Sequence, residues 1–318
     1  MIAYIIRRLL SVIPITVGVI LITFVVFRVI GGNPAYRIAG KNATAAQITQ
    51  ISHERGYDKP LFLNFHEFPR NVLDAQFPKL CGNLLRLDFG RSIVTRERVS
   101  TMLREGMGPS LCVTTPLFLI ELFLGVGLAL LAAYYRNTWI DHGLVLLSVM
   151  GMSISSLVYI MLAQYWLASV WRLFPVWGFE SPRYLILPVL VGTIAGVGGE
   201  LRFYRTVMLD EMYQEYVRTA RAKGVSSRRI LFHHVLRNAL IPILTNVIVA
   251  IPFLYTGALL LENFFGIPGL GRLTVMALFN FDDDVVFATT FIGSVLFVLF
   301  NAFTDIAYAW ADPRIRLQ

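Results

Sequence analysis

Apolar and polar positions fall in long alternating blocks along this chain. Six runs, about Ile5 to Ile30, Leu111 to Tyr134, Gly143 to Val170, Leu185 to Tyr204, Leu240 to Leu261 and Val285 to Trp310, are almost wholly apolar. Each reaches the ~20 residues an α-helix needs to cross a bilayer. The polar blocks between them are unequal. About 80 residues separate the first two runs. There Gly31-Gly32-Asn33-Pro34 ends the first helix, and Ala43 to Arg55 reads as a polar helix stopping at Gly56. Phe65 to Leu85 carries no legible pattern, and Asn42-Ala43-Thr44 matches a glycosylation tripeptide too common to carry meaning.

The other connections are short, apart from the charged stretch Asp210 to Pro242. Its first half sets Asp210, Glu211 and Glu215 early and Arg218, Arg221 and Lys223 late, the order a helix dipole favours. Gly224 suits the left-handed residue after a helix end, and Ser226 or Ser227 suits the cap of a second helix. In that helix Phe232, Val235, Leu236 and Ala239 recur at i, i+3, i+4 and i+7, with Arg229, His233 and Arg237 on a neighbouring stripe. Two short amphipathic helices meeting at a turn on a membrane surface are predicted. A basic helix that only touches anionic lipid explains the arginines but not the spaced Gly224 and Pro242.

Composition agrees with the pattern: 56% hydrophobic and 15% charged residues, with a mean hydropathy of +0.63, describe a polytopic membrane protein. The net charge of +8 is a matter of sidedness. Arg7, Arg8, Arg136, Arg205, Arg218, Arg221, Lys223, Arg228, Arg229, Arg237, Arg314 and Arg316 fall on the face that holds both termini, whereas the opposite short connections hold Arg172, Arg183 and Arg272. Both termini and the charged stretch are therefore expected to be cytoplasmic, in contact with membrane lipid, and nucleic-acid binding is not supported. Cys81 and Cys112 form no disulfide framework. The first apolar run exceeds a signal-peptide core and reads as a retained span.

Within the spans, Glu121 is either a functional carboxylate or a structural hydrogen-bonding group, and the structural role is preferred. Ser153, Ser155, Ser156 and Gln164 are candidate path-lining residues, or polar groups that bond between helices. Gly192 and Gly196 make a face that admits close helix approach, and Glu200 is expected to pair with Arg202 or Arg205 near the membrane surface. Gly266-Ile267-Pro268-Gly269-Leu270-Gly271, in apolar surroundings, reads as a tight re-entrant loop between the fifth and sixth spans. Asp282, Asp283 and Asp284 are expected to cap the last helix.

Two motifs carry a family resemblance. Tyr216 to Gly224 followed by Leu236-Arg237-Asn238-Ala239-Leu240-Ile241-Pro242 resembles the coupling loop of bacterial ABC-importer permeases, in its peptide and nickel branch. Glu262 to Leu273 is the second match. Gly56-Tyr57-Asp58-Lys59-Pro60-Leu61, Leu87 to Ser92 and Asp312-Pro313-Arg314-Ile315-Arg316 resemble signatures of the first peptide-permease subunit. The chain departs from the family at Cys112, where Ser110 to Thr114 holds no glutamate, and at Asp282 to Asp284. It also departs at Ser155, where proline is usual and a milder kink is expected.

The resemblance implies an all-α protein with the six-helix type I importer permease fold. Residues 1–30 would be the first transmembrane helix, 31–110 a small periplasmic domain, and 111–318 the core permease domain with coupling helices at about 206–239. It implies that Arg218, Thr219, Ala220, Lys223, Gly224, Ser226 and Ser227 couple to ATPase subunits, and that Gly266 to Gly271 form a periplasmic gate. The implied partners are a second, homologous permease subunit, two ATP-binding cassette subunits and a periplasmic or lipid-anchored substrate-binding protein, in a bacterial inner membrane. Dipeptides or oligopeptides are the first expected cargo, and nickel or its chelates the second. No Gly-x-x-x-x-Gly-Lys-Ser/Thr motif occurs, so ATP and Mg are assigned to partners, and no metal site or catalytic residue is assigned here. An ion-coupled secondary transporter using Glu121 and Glu200 would often show an inverted repeat, which is not evident. An intramembrane enzyme would need His-Glu-x-x-His or paired catalytic carboxylates on one span.

Overall fold

A computed structural model describes residues 2–40, 43–64 and 72–311, with side chains for 10–40, 43–64 and 72–304. Asn42, the start of the Phe65 to Leu85 stretch and the carboxyl-terminal Asp312 to Arg316 lie outside the described residues, as do the side chains of Arg7 and Arg8. The described residues are helical, with a single isolated bridge between Arg91 and Arg98. They hold five helices long and apolar enough to cross a membrane, or six if one sharply bent pair counts as a span. The chain divides into two compact units, Met1–Gly106 with Leu273–Gln318, and Met107–Arg272.

In the first unit, α1 (Ile2–Phe24) continues into a π-helical turn, Val25–Ile30, and packs along α14 (Asp283–Ala311). Between them lie α2 (Ala35–Ala39), α3 (Ala45–Arg55) and α4 (Gln76–Leu85). The polar helix expected up to Gly56 is α3. Thr44 and Gln47 close a reciprocal capping box, and Gly56 takes φ 72°. Helix α4 falls in the stretch without a legible pattern, and packs Phe77, Leu80, Cys81 and Leu84 against Ile20 and Phe291. Burial raises the pKa of the Cys81 thiol and of the nearby-loop Tyr57 hydroxyl, each by loss of water around the charged form.

The three aspartates correct an expectation. Asp283 and Asp284 do occupy the first turn of α14, but all three carboxylates reach residues distant in sequence. Asp282 accepts from the Ser92 hydroxyl and from the Ile93 N–H at 3.1 Å. Asp283 is fully buried and takes the Arg37 guanidinium at 2.9 and 3.2 Å, with Arg28 Nε at 3.7 Å. Asp284 faces Arg55 at 3.7 Å. The cluster binds the chain after α1 to the start of α14.

The second unit holds most of α5 (Val99–Tyr134), α6 (Trp139–Ser153), α7 (Ser156–Ala163) with a π-helical end Gln164–Val170, and α8 (Arg183–Met212). It continues through α9 (Glu215–Ala222), α10 (Ser227–Arg229), a π-helical Ile230–Val235, α11 (Leu236–Thr256) and α12 (Leu259–Phe265), and enters α13 (Leu270–Phe279). Helix α5 begins twelve residues before the predicted Leu111. The third span is broken, with its halves bent by 86°. Missing proline therefore does not soften the kink: Ile154 and Ser155 are extended (ψ 129° and 140°), and Ser155 caps α7 through the Leu157 N–H. Ser153, Ser155 and Ser156 stand exposed at this break.

The small faces bring helices close, as expected. A Cβ on Gly192 would lie 2.7 Å from Leu117, and one on Gly198 would lie 2.9 Å from the Ser148 carbonyl. Glu121 lies over Gly196, where a Cβ would come within 2.0 Å of its Oε1, and Glu200 lies over Gly125, where the same test gives 2.7 Å. Each helix thus offers a glycine to the other's glutamate. No described residue hydrogen-bonds Glu121, so the bond proposed for it is not found. Nor does Glu200 pair with arginine. It accepts from Asn246 at 3.2 Å, while Arg205 forks onto buried Asp141 at 2.7 and 2.9 Å and Arg202 reaches the Met152 sulfur. Cys81 and Cys112 are both free.

Removing one partner from a buried ion pair costs about 3–5 kcal/mol, whereas an exposed pair contributes ~1 kcal/mol or less. Asp283→Ala is therefore expected to lower the thermal midpoint of the detergent-solubilised chain far more than Glu215→Ala, which removes the exposed Arg218 pair. Equal midpoints would contradict the anchoring role of Asp283.

Candidate functional site

The charged stretch folds into a helix, a turn and a second helix, with shifted boundaries. Asp210 and Glu211 belong to the last turn of α8, so only Glu215 opens α9. Gly224 follows at φ 75°, as expected. Its N–H bonds the Arg221 carbonyl at 3.0 Å and the Val225 N–H bonds Ala220 at 3.2 Å. Ser226 takes the extended N-cap conformation, but its hydroxyl caps nothing. From Ser227 the helical path runs through the π-helical segment directly into α11. The second amphipathic helix and the fifth span form one continuous helical path, with Pro242 and Pro252 inside α11.

A π-helix spaces its bonds at i→i+5, which rotates the apolar face. Ile230, Leu231, Val235 and Ala239 are buried, while Phe232, expected inside, is 51% exposed and Leu236 is half-buried. The buried set packs with Val217 and Ala220 of α9, Tyr204 and Met208 of α8, and Ala129, Ala132 and Ala133 of α5. Ala220, 8% exposed, therefore packs mainly into this core. Arg218, Thr219, Lys223, Gly224, Ser226 and Ser227 are exposed, beside Arg221, Arg228 and Arg229. Burial, together with the Glu211 carboxylate, pushes the Tyr216 hydroxyl up to about 12. It stays protonated and donates to Glu211 at 2.5 Å, holding α9 to the end of α8.

At the other end of α11 the structure replaces the expected loop by two helices. Helix α11 stops at Thr256, Gly257 turns at φ 80°, α12 follows, and Gly266 turns at φ 72°. Leu270 and Gly271 begin α13. Gly266, Ile267, Gly269, Leu270 and Gly271 are buried, and Pro268 is exposed. Leu261, Phe265 and Ile267 pack on Val113, Ile160, Leu187 and Val191. Gly266 presses on the Trp177 ring, where a Cβ would fall 2.2 Å from Cε2. The Gly178 N–H bonds the Phe265 carbonyl at 2.9 Å, and Arg272 donates to the Gly266 carbonyl at 3.0 Å with its guanidinium over Trp177. Gln164 takes the second of the two roles considered for it, a polar group bonding between elements: it donates to the Phe264 carbonyl at 2.7 Å and secures this turn.

One residue of the turn escaped sequence reasoning. Glu262, placed at the start of an outside loop, is fully buried in α12. A carboxylate in an apolar run, flanked by glycines at 257, 266, 269 and 271, was the available signal. Among the described residues no group of three or more metal-ligating side chains gathers.

These features define a polytopic helical membrane protein in which one membrane helix joins an exposed basic surface to a buried glycine-rich turn. The chain belongs to the family of binding-protein-dependent transport system inner membrane components, which residues 125–317 match, with residues 1–114 matching that family's N-terminal part. It is 33% identical over 318 residues to a glutathione transport system permease protein of Salmonella choleraesuis, covering 100% of both chains. It is 33% identical over 326 residues to an oligopeptide transport system permease protein of Bacillus subtilis, with 99% of each chain covered. A Brucella abortus chain named for peptide transport is 34% identical over 324 residues, again with 99% of each covered. The protein is thus a multi-pass inner-membrane transport permease of a class that works with ATPase and substrate-binding partners.

No atom lies within 4 Å of a Cβ built on Gly224, so only its left-handed backbone restricts substitution. Asparagine tolerates that conformation and a β-branched residue does not. Transport by Gly224 variants is expected to fall in the order Asn, Ala, Val, with Val slowest by about tenfold or more. Initial uptake rates at matched expression test this, and equal rates for Asn and Val would remove the conformational requirement.

Proposed function

We propose that this chain is one permease subunit of an ATP-driven importer of short peptides. The observation that carries the reading is the continuous helix from the exposed Ser226 and Ser227 surface to the turn after Gly257. Two ATP-binding cassette subunits, holding ATP and Mg on their own residues, dock on Arg218, Thr219, Lys223, Gly224, Ser226 and Ser227. Their closure pushes α9 and α10. The buried contact of Val217 and Ala220 with Ile230, Leu231 and Val235 transmits the push to α8 and α11. At the far end α11 shifts α12 and the Gly266 to Gly271 turn, which acts as the gate on the periplasmic side.

The arginine and lysine asymmetry supports a cytoplasmic docking surface and cytoplasmic termini. A second, homologous permease subunit completes the path, and a periplasmic or lipid-anchored binding protein delivers cargo to the gate side. Peptide cargo is preferred to nickel because the relatives above are named for peptide, glutathione and oligopeptide transport. Family membership favours this reading over an ion-coupled transporter.

Topology and cargo are tested together. In a background lacking Cys81 and Cys112, cysteines at positions 214 and 226 are expected to resist an impermeant maleimide in intact cells, and those at 41 and 79 to react. The purified complex is expected to retain Walker-motif subunits and to accumulate labelled tripeptide in vesicles only with ATP. Labelling at 226 from outside, or uptake driven by an ion gradient alone, would overturn the reading.

A further inference from the structure

Glu262 has no cationic partner among the described residues, although it is fully buried. Its carboxylate instead collects donors from three separate elements. Oε1 accepts from the Ser110 hydroxyl at 2.8 Å and from the Ala258 N–H at 2.9 Å. Oε2 accepts from the N–H groups of Gly271 at 2.7 Å and Arg272 at 3.2 Å. Ser110, on α5, in turn accepts the Leu270 N–H at 2.7 Å. Both oxygens are acceptors twice over, the bonding pattern of a carboxylate and not of an amide, whose NH2 would face two donors.

The glycines around it make room for this group. A Cβ on Gly257 would lie 2.3 Å from Oε1. On Gly269 or Gly271 it would lie 2.2 or 2.9 Å from Oε2. Of these three only Gly257 has a positive φ, so backbone freedom does not explain Gly269 or Gly271. Steric space does: the carboxylate is nearest at Gly269, with the Ser110 hydroxyl at 2.5 Å, and at Gly271 the carboxylate and the Leu259 backbone N stand equally close at 2.9 Å.

The geometry points to Glu262 as the positioning residue of the glycine-rich turn: its carboxylate gathers the start of α12, the start of α13 and α5 into one arrangement. The consequence for transport rests on the reading of this turn as a gate. Any shift of α11 that reaches the turn carries the Glu262 bonds with it or breaks the link to Ser110, so the carboxylate sets how the turn responds.

The experiment uses the full reconstituted complex in a background lacking Cys81 and Cys112. Leu270, 2% exposed, is replaced by cysteine to report the shape of the turn, and the labelling rate is read beside initial peptide uptake. Glu262→Gln is expected to make Cys at 270 reactive and to slow uptake. Gly269→Ala is expected to do the same by about tenfold through overpacking. Combining Gly269→Ala with Glu262→Asp, which withdraws the carboxylate by one methylene and leaves the Ser110 hydroxyl at 2.5 Å from the new Cβ, is expected to restore both protection and uptake in part, above the Gly269→Ala level. That rescue places the clash on the carboxylate, and the isosteric Glu262→Gln, which keeps the volume and changes only the bonding, separates positioning from packing. If labelling changes and is rescued while uptake never moves, Glu262 keeps its positioning role and the gate reading falls. If position 270 stays unreactive in Glu262→Gln, or the double variant is no better than Gly269→Ala, the positioning role is overturned.

Discussion

A backbone N–H or C=O without a partner costs several kcal/mol in a bilayer, so a membrane helix is interrupted only where something else supplies the missing bonds. This constraint organises the second unit. Where α11 ends, Thr114 of α5 donates to the Leu254 carbonyl at 2.8 Å and Glu262 takes the N–H groups of the following turns. Where the third span breaks, Tyr159 donates to the Gly151 carbonyl at 3.0 Å and Ser155 caps α7. Gln164 and Arg272 satisfy the Phe264 and Gly266 carbonyls. Thr114, Tyr159, Ser155, Gln164, Glu262 and Arg272 thus replace bonds that unbroken helices would have made.

Of the two roles open to Gln164 and Ser155 from polarity alone, path lining or bonding within the bundle, the geometry displays the second: each completes a helix break. The transmission proposed for helix α11 depends on the same bonds. That helix is continuous with the exposed surface at Ser227 through a π-helical segment, and its far end is held by α5 through Thr114 and, beyond Gly257, by α5 through the Ser110 link to Glu262. The path stays helical as far as Thr256, with Pro242 and Pro252 inside α11 as the positions where it can bend.

What the sequence made legible was whatever depends on local pattern. Among the described residues the apolar runs coincide with the five long apolar helices and the bent pair, the capping chemistry of Thr44, Gln47 and Gly56 located α3, and Gly224 marked its turn. Features that depend on tertiary partners were not legible. The 86° bend at Ser155 has no proline to announce it. Phe232 faces outward because a π-helical segment rotates the face that a 3.6-residue period assigns. Asp283 looks like a cap until Arg28 and Arg37, some 250 positions away in sequence, reach it. Glu262 was hidden in the same way, since four donors from three elements are invisible to spacing.

Hydrogen exchange of the wild-type complex in nanodiscs tests the central constraint most directly. The amides of Ala258, Leu270, Gly271 and Arg272 lie at helix starts, where no intrahelical partner exists. If side chains replace the missing bonds, these amides exchange as slowly as those inside α11 and α12. Exchange at the rate of an open loop, with the flanking helices still protected, would contradict the account.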